Sequence, residues 1–156
     1  MLGRYFSEKD ISFINLINDE LLGDVIQQVV TLHRPCADVS TTNIYGEVRA
    51  SVGMTYFPGI DIICLVERAD IDTPIDDFGP TRSQNVVFKF MEKDLEKVNF
   101  FPQSGDLIFF NSRYYAADNI IQGEQLLGGQ PDKSFAVIVH CHYTKLSAIN
   151  FVKRQS

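Results

Sequence analysis

A chain of 156 residues with 45% hydrophobic and 22% charged composition can build one domain with an ordinary core, which excludes a disordered tail. Its net charge of −6, from 20 acidic and 14 scattered basic residues, argues against tight phosphate-backbone binding, which needs clustered Lys and Arg. The longest apolar runs, residues 60–66 and 135–139, fall far short of the roughly 20 residues a membrane helix needs, so no membrane association is expected.

Arg4, Glu8, Lys9 and Asp10 interrupt any apolar segment at the start, so the chain reads as lacking a signal peptide and as made in the cytosol. Ser7 is placed to cap a helix whose first turn is acidic. Ile11, Ile14, Ile17 and Leu21 recur at helical spacing, and Gly23 offers a stop, so a helix is predicted over about residues 7–22. Residues 25–32 then turn to strand chemistry, which Pro35 ends. From 36 to 59 periodicity is poor, with turn formers over 37–47 and Tyr56-Phe57-Pro58-Gly59 at the close. A loop this long in a small domain is usually functional or disordered, and Ile44, Tyr45, Tyr56 and Phe57 argue against disorder.

The second half reads as β. Strands are predicted over 60–67 and 84–91, with a polar connection at 69–81 carrying Pro74, Gly79 and Pro80. A helical turn over 92–97 and a turn at 101–105 lead into a strand at 106–110. Asn111-Ser112 suits a hairpin turn into 113–121. The glycine-bearing stretch 122–133 is a loop, and 135–143 is the last strand, with Phe135, Val137, Val139, Cys141 and Tyr143 on one face. The expected core is Ile62, Cys64, Phe88, Phe90, Leu107, Phe109, Val137 and Val139. The fold class is therefore mainly β: a small β-barrel or sandwich with an N-terminal α-helix and long loops. It forms a single domain over 1–156, with its β-rich body at about 25–152.

Motifs for catalysis are missing: no phosphate-binding glycine loop, no G-x-S-x-G and no H-E-x-x-H. His140 and His142 would share a strand face, but a metal needs at least one more ligand, from His33 or a carboxylate. The bland reading is a polar face opposite Cys141. Asp70, Asp72, Asp76 and Asp77 sit near Pro74, where such residues mostly build turns. Cys36, Cys64 and Cys141 are odd in number and widely spaced, and are expected to be reduced thiols. Lys153-Arg154 reads as a solvated tail. No catalytic residue, metal or cofactor is assigned, and the protein is expected not to be an enzyme.

Several stretches in order carry a family resemblance: Thr42-Asn43-Ile44-Tyr45-Gly46-Glu47 after the helix and first strand, Tyr56-Phe57-Pro58-Gly59 before the next strand, and Asp77-Phe78-Gly79. Gly105-Asp106-Leu107-Ile108-Phe109-Phe110 then leads to Arg113-Tyr114-Tyr115 and the final strand. Together they resemble the neck, or head-closure, proteins of tailed phages with contractile tails. One departure is local: the family's hairpin often reads Tyr-Glu-Ile, whereas Tyr115 here is followed by Ala116-Ala117-Asp118. The resemblance implies a virion structural protein made in the host cytoplasm and built into the neck as a homo-oligomeric ring, a hexamer or a dodecamer. Portal and adaptor proteins would lie above it and tail-terminator or tail proteins below. Packaged DNA would pass through the ring without sequence-specific binding. A tail-terminator or baseplate subunit fits the same signs, and a metal-dependent enzyme using His140 and His142 is the reading furthest from them.

The assembly interface is expected in the loop 37–59, with Ile44, Tyr45, Tyr56 and Phe57 as apolar anchors and Asn43 and Glu47 fixing register at the rim. The alternative is that this loop folds back and caps its own barrel.

Overall fold

The computed structural model describes residues 8–36, 54–72, 75–76, 79–80, 83–125, 134–145 and 149–152. Helix α1 spans Glu8–Glu20. The Ser7 cap expected before it lies outside the described residues. Gly23 does not stop the helix as expected. The chain widens instead into a π-helical turn over Leu21–Ile26 and ends at Gln27, whose φ of 49° is left-handed. The Gln27 N–H donates to Leu22 O at 2.9 Å, an i to i+5 bond that closes the wider turn. The strand predicted from residue 25 consequently starts later.

The strands in chain order are β1 (Val29–His33), β2 (Met54–Tyr56), β3 (Ile60–Ile63), β4 (Leu65–Asp72), β5 (Ile75–Asp76), β6 (Gly79–Pro80), β7 (Ser83–Met91), β8 (Leu107–Phe110), β9 (Arg113–Gln125), β10 (Ser134–Thr144) and β11 (Ile149–Phe151), with helix α2 (Glu92–Val98) after β7. Seven of them form one antiparallel sheet in the order β3-β1-β8-β9-β10-β7-β4. The mainly β class with an N-terminal helix is thus the architecture. Beside the large sheet, β2 pairs in parallel with β11, and β5 with β6 makes a two-residue ladder. The expected loop 37–59 therefore gives up residues 54–56 to a strand, and 37–53 lie outside the described residues.

The strand predicted over 60–67 is two strands. Residues up to Ile63 pair with β1, Ile62 opposite Val30, at one edge of the sheet. Residues from Leu65 pair with β7, Val66 opposite Phe88, at the other edge. Only Cys64 separates the two, so the sheet must curl until its edges meet there. Gln28 fastens the corner: its carbonyl accepts the Cys64 N–H at 2.9 Å and its side-chain oxygen the Val66 N–H at 3.1 Å. Beyond this point the edges do not pair, so the sheet is not closed into a barrel.

The concave side of the curl holds the main core. Alternation explains its membership: Val86, Phe88 and Phe90 from β7 meet Val137, Val139 and Cys141 from β10. Leu95 of α2 and Phe100 cap the open end. Six expected core residues, Ile62, Cys64, Phe88, Phe90, Val137 and Val139, are buried here. Strand β8 is turned the other way from expectation. Leu32 is a core residue and pairs directly with Ile108, and cross-strand partners share a face, so Ile108 and Phe110 point inward. Leu107 is buried on the opposite face with Tyr56 and Ile149, and Phe109 there is only half-buried. Asn111 and Ser112 carry φ of 49° and 62°, the paired positive values of a tight I′ hairpin turn.

Candidate assembly surface

Of the expected interface residues, Asn43, Ile44, Tyr45 and Glu47 lie outside the described residues. Tyr56 and Phe57 are described, and they part company. Parallel pairing sets Tyr56 beside Phe151, and Val152 N–H donates to Tyr56 O at 3.0 Å. This turns the Tyr56 ring onto Leu107 and Ile149 in a second, smaller core. Burial, and then the charge of Asp106, raises its hydroxyl above the ordinary pKa. Tyr56 is thus an interior residue rather than a surface anchor. Phe57 is 46% exposed and stays at the surface.

Around Phe57 the convex face is aromatic. The His33 ring nitrogen Nδ1 lies 3.0 Å from the Phe57 carbonyl oxygen, and the imidazole lies tilted against Phe151 with ring centroids 4.8 Å apart. Tyr114 continues the row, 5.8 Å from Phe151 and 4.8 Å from Phe109. Gly59 lets the chain cross this face closely: a Cβ there would stand 2.2 Å from Thr31 Cγ2 and 2.6 Å from His33 Cε1. Only hydrogen fits.

The larger apolar surface is one the sequence did not single out. No side chain described on α1 or the π turn is fully buried. Ile11, Ile14, Leu22 and Ile26 are half-buried, while Phe13, Leu16, Ile17, Leu21 and Val25 are exposed by 44 to 71%. Their spacing of three and four residues puts them on one face. Of the four residues at helical spacing, Ile11 and Ile14 are half-buried, while Ile17 and Leu21 belong to this exposed face. An ion pair from Lys93 of α2 to Asp19 ties the helix to the body.

Polar groups near the second core act as structure. Asp106 is 1% exposed and accepts the Gln103 N–H at 2.8 Å. Arg34 reaches its two oxygens at 3.5 and 3.4 Å, donates to Phe101 O at 2.6 Å and lies 4.3 Å over the Phe100 ring. Burial raises the Asp106 pKa, and the bonds from Gln103 and Arg34, which lower it, do not outweigh that burial. The clasp fixes the turn at Ser104-Gly105, where Gly105 has φ of 93°.

His142 pairs with Asp118, Nδ1 to carboxylate at 2.7 Å, and both are about half exposed. Asp118 is the extra residue of a bulge, since Ala117 and Asn119 oppose the adjacent Cys141 and His140. Among the described residues no three His, Cys, Asp or Glu side chains are grouped so as to hold a metal ion. All three cysteines are buried and none is disulfide-bonded. Burial pushes the Cys64 thiol up to about 12 and raises that of Cys141 as well, so both are inert as nucleophiles. No helix among the described residues is long and apolar enough to cross a membrane. No protein-family model matches the chain, and a search of curated proteins finds no match.

Proposed function

We propose that the chain is a virion structural protein, one copy of a ring in the neck of a tailed phage, joining the portal side to the tail and helping to retain packaged DNA. The observation that supports this most is the apolar surface left outside a domain whose core is already filled. Five large aliphatic and aromatic side chains on α1 and the π turn face water, and Phe57 and Phe151 do so on the convex face. A monomer gains nothing from such surfaces, whereas a subunit with neighbours buries them. The motif order from Asn43 to Tyr115 points to the same class of protein. The net charge of −6 suits a ring through which DNA slides, because few cations are present to hold the duplex. Mass spectrometry of purified virions, followed by antibody labelling in electron micrographs, tests the reading. The label is expected at the junction of head and tail. Absence of the chain from virions, or a label at the baseplate, would overturn it.

A further inference from the structure

Cys141 is buried in the main core, so alternation along β10 turns His140 and His142 to the outer face of the sheet. His140 is half-buried there and His142 exposed. Their backbones are about 6.7 Å apart along the strand, near enough for two imidazoles to lean onto one ion. The bulge in β9 carries Asp118 out of the ladder and sets both of its carboxylate oxygens 2.7 Å from His142 Nδ1. A carboxylate only accepts, so in the neutral ring Nδ1 holds the proton and donates it, and the lone pair of Nε2 is free. The two side chains are 49 and 53% exposed, so the pair serves no core. A carboxylate on the far nitrogen is what fixes the ring and the tautomer of metal-ligating histidines.

We infer that His140 and His142 bind one divalent first-row transition-metal ion, with Asp118 as the positioning residue that aims His142. The donors select the class of ion. Two neutral imidazoles suit Zn²⁺ or Ni²⁺, whereas Mg²⁺ and Ca²⁺ take oxygen ligands. The strands on either side oppose nothing to a cation: Asn119 and Val87 lie across from His140, and Ala116 and Asn85 across from His142. No third His, Cys, Asp or Glu joins the group among the described residues, so the remaining positions of the ion belong to water. His33, the other histidine of the three, shares a row with His142 through Leu107 and Ala116. Three strand spacings, about 14 Å, put it out of reach as a ligand.

This site stands apart from any position in the neck and is tested on the free protein. Calorimetric titration of the full chain with zinc or nickel chloride alone is expected to give one ion per chain, and titration with magnesium or calcium chloride none. Zinc should shift the ring proton signals of His140 and His142 and leave those of His33 in place. His140→Ala and His142→Ala should each weaken binding at least tenfold, and the double variant should abolish it. Asp118→Ala should weaken it about tenfold, the lower end of what losing such a partner costs. Asp118→Asn keeps an acceptor for Nδ1 and the size of the bulge residue, and should fall between Ala and wild type. No binding up to about 1 mM zinc or nickel, or binding that survives loss of both histidines, would overturn the site. So would zinc shifts at His33 alone, or Asp118 variants that bind as tightly as wild type.

Discussion

Replacing Asp106 tests whether the clasp under the second core holds this end of the fold. Asp106 is the one charged side chain fully buried among the described residues. Asp106→Ala removes a charge-assisted bond to the Gln103 N–H, contributing about 1.5–3 kcal/mol net. It also strips Arg34 of its anion, but that guanidinium side chain is 36% exposed and its bonds to Asp106 are long, so its share is below about 1 kcal/mol. A loss of about 2–4 kcal/mol follows, measured by urea unfolding with far-ultraviolet dichroism as the probe, since the chain has no tryptophan. Asp106→Asn keeps an acceptor for Gln103 and isolates the charge. Because burial raises the carboxyl pKa above its usual 3.8, the folded chain binds that proton more tightly than the unfolded chain. The stability it contributes is full below 3.8 and is lost as pH rises through the raised value. Wild type should therefore lose ground to Asp106→Asn as pH climbs through that window. If wild type gains on Asn instead, the ion pair with Arg34 outweighs burial and the reasoning is wrong. An Ala variant within about 0.5 kcal/mol of wild type would make the clasp incidental.

Phe88→Ala should cost about 3–5 kcal/mol, because Phe88 is enclosed by Phe110 and Tyr115 with ring centroids at 5.9 and 5.8 Å, while outward-facing Phe109→Ala should cost about half that or less. Equal losses in urea titrations would mean that β8 does not present Ile108 and Phe110 to the core. Cys64 and Cys141 should resist a thiol reagent at pH 8 in the folded protein, with three groups reacting in denaturant; rapid native labelling would contradict their burial and raised pKa values. Gly59→Ala should lose about 1–3 kcal/mol, the overpacking range, because its methyl carbon meets Thr31 and the His33 ring, and an unchanged melting temperature would show that the crossing over β1 is slack.

The strands of the second half were legible because their alternation is strong. Val86, Phe88 and Phe90 announce an inward face that no turn interrupts, and Val137, Val139 and Cys141 repeat it. Two errors there share a cause. In 106–110 four consecutive apolar residues carry no alternation, so either face suits the core, and the choice is made by Leu32 of β1 through its register with Ile108. In 60–67 an unbroken apolar run hides a corner, because Cys64 is as apolar as its neighbours. The break is set by which strands lie on either side, β1 before it and β7 after it. Local sequence holds neither fact. Arg34 and Asp106 were missed for a similar reason. They stand far apart in the chain and meet only through the fold, although the turn they fix was predicted over 101–105.

The candidate surface shows what pattern reading sees least well. Tyr56 and Phe57 are neighbours at the end of a strand, and successive strand residues point to opposite faces, so both cannot be surface anchors. Which of them turns inward depends on β11, at the far end of the chain, whose pairing carries Tyr56 over Leu107 and Ile149. The helix poses the converse case. Ile11, Ile14, Ile17 and Leu21 read as a helical repeat, yet Phe13, Leu16 and Val25 add apolar residues on a further side of the helix. Apolar residues at helical spacing ordinarily turn to a core. Here the main core is built from the sheet's own strands with Leu95 and Phe100, and no residue of α1 belongs to it. The ion pair of Asp19 with Lys93 ties α1 to the body, and Phe13, Leu16 and Ile17 stay exposed. Five large apolar side chains kept in water on a helix tied to the body by the ion pair of Lys93 with Asp19 are the surface that the proposed assembly would cover.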